Sequence, residues 1–134
     1  MKFNAVLFDC DGVLVDSEPM TNQVLRDMLE VSGWSMTLTE CMSFFAGRVF
    51  SGHEMPRSKP APDVYLAAAG HLNVPGHQCL VIEDTHVGVT AGVAAGATVW
   101  AYSPQPVGDV ALLLAGASQV FRRMDDVPEL LAAR

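Results

Sequence analysis

Asp9 and Asp11 stand one residue apart, between the apolar run Ala5-Val6-Leu7-Phe8 and Gly12. A second apolar run, Cys79-Leu80-Val81-Ile82, also ends in acids, Glu83 and Asp84, with Thr85 next. Between the two lies Ser58-Lys59-Pro60-Ala61-Pro62-Asp63. Each proline there pushes the residue before it out of helical geometry, so Lys59 is carried on a stiff, extended approach. Carboxylates crowded at a strand end repel one another when partly buried, and one tends to protonate. A hard cation with oxygen ligands removes that penalty. The chemistry on offer is cation binding by paired acids, beside one ammonium. Solvated acids in a turn and a solvated lysine are the plainer alternatives.

Such a site needs both acidic ends at one place. Neither apolar run alternates with polar residues, so each reads as a strand buried on both faces, as in parallel sheets. Helical crossovers between them bring both carboxyl ends to one edge of the sheet, where open α/β sheets bind ligands. Pro19 suits the first turn of a helix running to about Ser32 and stopped by Gly33. Its apolar stripe is Met20, Val24, Leu25, Met28 and Leu29. A second helix starts near Thr37, which has capping-box spacing to Glu40, and ends by Gly47, with Leu38, Cys41, Met42 and Phe45 on one side. A helix over 63–69 follows Lys59, and another after Thr85 carries Gly88 and Gly92, which allow close approach to the sheet. A strand over 97–101, a helix over 109–115, a strand over 119–121 and a helix from Val127 complete the pattern.

The chain has 134 residues, half of them hydrophobic and 17% charged, which suits one domain with a real core and excludes disorder. A net charge of −7 argues against nucleic acid or an acidic membrane as partner. Cys10, Cys41 and Cys79 are odd in number without ligand spacing, so reduced thiols are expected; His71 and His77 near Cys79 do not form a zinc pattern. With no signal peptide at the N-terminus and no apolar run of spanning length, a cytoplasmic location is expected.

The string Asp9-Cys10-Asp11-Gly12-Val13-Leu14-Val15-Asp16-Ser17-Glu18 resembles the first motif of the haloacid dehalogenase superfamily of phosphohydrolases. The likeness is to its β-phosphoglucomutase and sugar-phosphate phosphatase branch. Lys59-Pro60-Ala61-Pro62-Asp63 is similar to the family's third motif, and Glu83-Asp84-Thr85 with Gly88-Val89 to its fourth. The resemblance implies an α/β, Rossmann-like parallel sheet flanked by helices, with a core over 1–17 and 49–134 and a truncated two-helix cap over 18–48. Phe44-Phe45-Ala46-Gly47-Arg48 looks like mid-cap, yet Val49-Phe50-Ser51-Gly52 already looks like the approach to the lysine motif. The rest of the cap, the second core strand and the Ser or Thr ending it are missing between them, as in an internal deletion.

The same resemblance implies the site. Asp9 is the nucleophile, Asp11 the acid and then base, and Lys59 the neutralising cation, all acting on a small phosphorylated metabolite. Mg²⁺ is held by Asp9, Asp11 and Asp84, with Glu83 supporting. Backbone N–H groups around Cys10 and Gly12 contact phosphate, and Arg48 resembles a cap residue that grips substrate. Ser51, Ser58 and Thr85 are candidates to stand in for the missing hydroxyl, and no motif supports any of them. Three readings compete with a weakly selective phosphatase. A mutase needs a cap that excludes water, and a receiver domain would have its lysine later in the chain. The third is a catalytically impaired relative that works through metal binding and self-association. The deletion also suggests a homodimer through residues 20–48, unless Val49-Phe50 fills the open edge beside Phe3–Phe8.

Overall fold

The computed structural model describes residues 3–9, 26, 27, 30, 33 and 35–133. Four parallel strands lie in chain order, β1 (Ala5–Phe8), β2 (Cys79–Glu83), β3 (Thr98–Tyr102) and β4 (Gln119–Phe121). The helices with full bounds are α1 (Leu38–Phe45), α2 (Asp63–His71), α3 (His86–Ala94), α4 (Asp109–Leu114) and α5 (Val127–Ala132). Among the described residues no helix is long and apolar enough to cross a membrane.

Strand alternation divides the core in two. Leu7, Cys79, Val81, Val99 and Ala101 face Val64, Tyr65 and Ala68 of α2, Val89 and Ala91 of α3, and Leu112 of α4. Leu80, Ile82, Trp100 and Phe121 face the other way, onto Cys41 of α1 and Val127 of α5. A sheet covered on both faces is the expected α/β layering. Every residue of β2 is buried, as its unbroken apolar run requires. In β1 only Leu7 is buried. The register explains this difference from expectation: β1 pairs with β2 alone and forms the edge of the described sheet. Val49-Phe50 does not fill the free side, since neither residue is in a strand, Val49 is 71% exposed, and Phe50 packs on the core beside the His71 ring.

Local signals hold up well. The Thr37 N–H donates to Glu40 Oε2 at 2.7 Å and the Glu40 N–H to Thr37 Oγ1 at 3.2 Å, a complete capping box. Gly47 follows α1 with φ +74°, a conformation that favours glycine. Of the stripe read on this helix, Cys41 is wholly buried in the chain's own core and Leu38 is 37% exposed. The side chains of Met42 and Phe45 lie outside the described set. Of the helix expected from Pro19 to about Ser32, only Arg26, Asp27 and Glu30 are described as helical, and Gly33, at φ +86°, bonds back to the Glu30 carbonyl. Its apolar stripe lies outside the described residues.

Candidate active site

The β1–β2 register sets the site. Phe8 stands opposite Ile82, and the ladder runs one step further, the Asp9 N–H donating to the Ile82 carbonyl at 3.0 Å. That places Asp9 beside Glu83, with Asp84 next along the chain. One carboxylate oxygen from each of Asp9, Glu83 and Asp84 lies within 4.8 Å of the others. Lys59 reaches this cluster from the proline-bound approach to α2. Its Nζ donates to Asp9 Oδ1 at 2.8 Å and, in a short contact, to Glu83 Oε1. An Arg57–Asp63 ion pair at 2.8 Å brackets that approach.

Glu83 is completely buried. Its Oε1 also accepts the Tyr65 hydroxyl, while Oε2 accepts the Asp84 N–H at 3.2 Å and the Thr85 hydroxyl at 3.5 Å. Both oxygens are thus held by protein donors. Gly88 makes room for the group: a Cβ there would lie 2.0 Å from the Glu83 Cδ and from both its oxygens. Gly92 serves close helix–sheet packing instead, since a Cβ would come 2.8 Å from Val99 Cγ2. Both glycines therefore allow the close approach to the sheet expected of them, Gly88 against the Glu83 side chain at the end of β2 and Gly92 against Val99 and Val81.

The electrostatics follow from this crowding. Burial, reinforced by the Asp9 and Glu83 charges, pushes the Asp84 carboxyl up to about 6. Burial works against the Lys59 ammonium, but the bonds to Asp9 and Glu83 outweigh it and raise its pKa. Burial, then the Glu83 charge, pushes the Tyr65 hydroxyl well above the usual tyrosine range, so it stays a donor. Among the described residues three carboxylates face one ammonium, and Asp84 Oδ1 is buried with no hydrogen-bond partner. A buried acceptor without a donor is costly. An all-oxygen set with a surplus of negative charge and one open acceptor fits a hard divalent cation.

Other expected site residues fare differently. Asp11, Cys10 and Gly12 lie outside the described residues. Arg48 folds back on the end of α1, its guanidinium donating to the Phe44 carbonyl and lying 4.5 Å from the Phe44 ring centroid. Of the hydroxyls considered as stand-ins, Ser51 accepts from the His53 N–H and Thr85 caps α3 by accepting from the Gly88 N–H at 3.0 Å. Tyr65 is the site residue that sequence reasoning missed. A lone tyrosine within the apolar middle of a helix, whose hydroxyl must find a partner if buried, was its only signal.

Residues 35–96 match the family model of haloacid dehalogenase-like hydrolases. A 6-phosphogluconate phosphatase of Escherichia coli is 28% identical over 100 residues, covering 75% of this chain and 44% of that protein. A bifunctional riboflavin kinase/FMN phosphatase of Arabidopsis thaliana is 42% identical over 74 residues, covering 55% of this chain and 17% of that one. The chain thus spans less than half the length of either curated relative. Among solved structures, a haloacid dehalogenase family hydrolase from Deinococcus radiodurans, with bound phosphate and sodium, superposes with a TM-score of 0.65 at 25% identity. That alignment covers 98% of this chain and 96% of the other. The resemblance to haloacid dehalogenase-like hydrolases read from the motifs is therefore shown, over residues 35–96 by the family model and, with the parallel-sheet fold, over nearly the whole chain by the Deinococcus radiodurans protein.

Proposed function

We propose that this chain is a Mg²⁺-dependent phosphatase that hydrolyses small phosphate monoesters through Asp9, with weak selectivity. The observation that carries the reading is the meeting of Asp9, Asp84 and Lys59 at one strand edge, with Asp84 Oδ1 unpartnered. The relatives named for FMN and 6-phosphogluconate, both phosphate monoesters, support the substrate class, as does the phosphate in the Deinococcus radiodurans protein.

Asp9, Asp84 and the Asp11 backbone carbonyl would hold the ion, which when bound draws charge from the phosphoryl oxygens. The Asp9 carboxylate attacks phosphorus and forms an aspartyl-phosphate, while the ester oxygen leaves with a proton from Asp11. Asp11 then takes a proton from the water that hydrolyses the aspartyl-phosphate, releasing phosphate and restoring Asp9. Lys59, already 2.8 Å from Asp9, offsets negative charge as the two anions approach. Backbone N–H groups of Cys10 and Gly12 add phosphate contacts. Glu83, with both oxygens engaged, supports the site by anchoring Lys59. Arg48 is left as a substrate contact only if it releases Phe44.

A panel of sugar, nucleoside and aryl phosphates assayed with Mg²⁺ or with chelator tests the reading. Hydrolysis that chelator removes is expected. No hydrolysis of any ester would favour the impaired, metal-binding alternative, which gains from the structural tasks already held by Ser51 and Thr85.

Two further proposals concern organisation. Residues 18–48 are what remains of a cap after an internal deletion. The absence of any strand between α1 and α2 supports this, while Cys41 docks α1 on the core sheet. The chain forms a homodimer, supported by the unfilled side of β1 among the described residues and by the exposed Phe44 and Leu38. Light scattering at low micromolar concentration should give twice the chain mass. A well-folded monomer would remove the dimer.

A further inference from the structure

We propose that the Tyr65 hydroxyl is a positioning group: it holds Glu83 so that Glu83 keeps Lys59 beside Asp9. The role of Lys59 in hydrolysis rests on the reading above; the chain of contacts does not.

Tyr65 is 4% exposed and Glu83 0%. The Tyr65 hydroxyl and the Lys59 ammonium donate to the same oxygen, Glu83 Oε1. Lys59 Nζ also lies 5.0 Å from the Tyr65 ring centroid, so ring and hydroxyl both border the ammonium. The other buried positions of α2 are Val64, Ala68 and Ala69, all apolar. A phenylalanine would fill the same space, and a hydroxyl is costly to bury without a partner. Glu83 is the partner that makes it tolerable. Because Oε1 serves two donors, its pull on Lys59 is shared, and the ammonium can also reach Asp9 at 2.8 Å. Without the hydroxyl, Oε1 depends on Lys59 alone and draws it away from Asp9. Tyr65 thus acts through Glu83 and touches no reacting atom.

Tyr65→Phe in the full chain keeps the ring and removes one oxygen. With Mg²⁺ saturating, kcat on a hydrolysed ester should fall ~10-fold or more with KM within ~3-fold, the pattern of an interaction made in the transition state. In a Glu83→Gln background the same change should cost at most ~2-fold, since contacting residues that act as one unit are not additive. An independent readout needs no metal and no turnover. In ¹³C-lysine-labelled protein, Tyr65→Phe should move the Lys59 side-chain resonances, and Glu83→Gln should move the same resonances. Unmoved resonances in both variants, or an equal kcat loss in both backgrounds, would overturn the proposal and reduce Tyr65 to a packing residue. Failure of the parent to hydrolyse any ester would sink the phosphatase reading, while the Lys59 resonances still decide the role of Tyr65.

Discussion

Asp9→Asn is expected to remove ester hydrolysis, a loss of ~10⁴-fold or more, as the proposed role of nucleophile in a covalent route requires. The amide keeps the shape of the side chain but cannot form the aspartyl-phosphate. Folding should survive, because Lys59 retains Glu83, the more deeply buried of its two acidic partners. Lys59→Ala makes a useful contrast. Loss of one preorganised charge of this kind costs ~10²–10³ in rate. It also leaves Glu83 buried without its cation, a change that costs on the order of 3–5 kcal/mol in stability. Steady-state rates and thermal melts of both variants separate the two effects. Hydrolysis by Asp9→Asn at the parent rate would assign the activity to another group.

The second large effect falls on a residue with no chemistry of its own. Gly88→Ala would place a methyl group 2.0 Å from the Glu83 carboxylate atoms. A flexible side chain could swing away, but this one is held by Lys59, Tyr65, the Asp84 N–H and the Thr85 hydroxyl. Overpacking costs ~1–3 kcal/mol, and displacing a buried, paired carboxylate adds to it. Against a typical stability of ~5–15 kcal/mol that is a large share, and Tm should fall by ~10 °C or more. Gly70→Ala is the control. It is also helical, but a Cβ there has open space and glycine is the poorer helix former, so Tm should hold or rise slightly. A Gly88→Ala melt within ~2 °C of the parent would show that Glu83 is not held as described.

What the sequence made legible was whatever local physics decides. Unbroken apolar runs marked β1 and β2, and the Thr37–Glu40 spacing marked the start of α1, with the cap bonds formed as expected. The convergence of Asp9 with Asp84 followed from parallel strands and crossovers. Three features were hidden because they depend on packing across the chain. Strand order leaves β1 only half-buried at the edge of the described sheet, the open edge that the missing strand implied, although its apolar run alone reads as buried on both faces. Cys41 looked like part of a free apolar stripe until the sheet face that receives it was in place. Tyr65 gave no spacing signal, since its partner lies 18 positions further along the chain. Glu83 was recognisable as an acid of the site, but not as one whose oxygens are both engaged by protein donors.

Magnesium titration of the parent and of Asp84→Asn, followed by calorimetry and by Tm, tests the central claim most directly. In the ion-free chain the Asp84 carboxyl is held at about 6, above the usual carboxylate range, chiefly by burial and then by Asp9 and Glu83. At pH 7.5 it is ionised in an environment that disfavours its charge, so the neutral amide should leave the ion-free Tm unchanged or higher. Mg²⁺ should raise the Tm of the parent in proportion to binding, as any ligand specific to the folded state does. For Asp84→Asn the account predicts at least a ~10-fold weaker affinity, in the range that disruption of metal-site support produces, with most of the Tm rise lost. Equal affinity in the two proteins, or no Mg²⁺ binding by the parent, would contradict it.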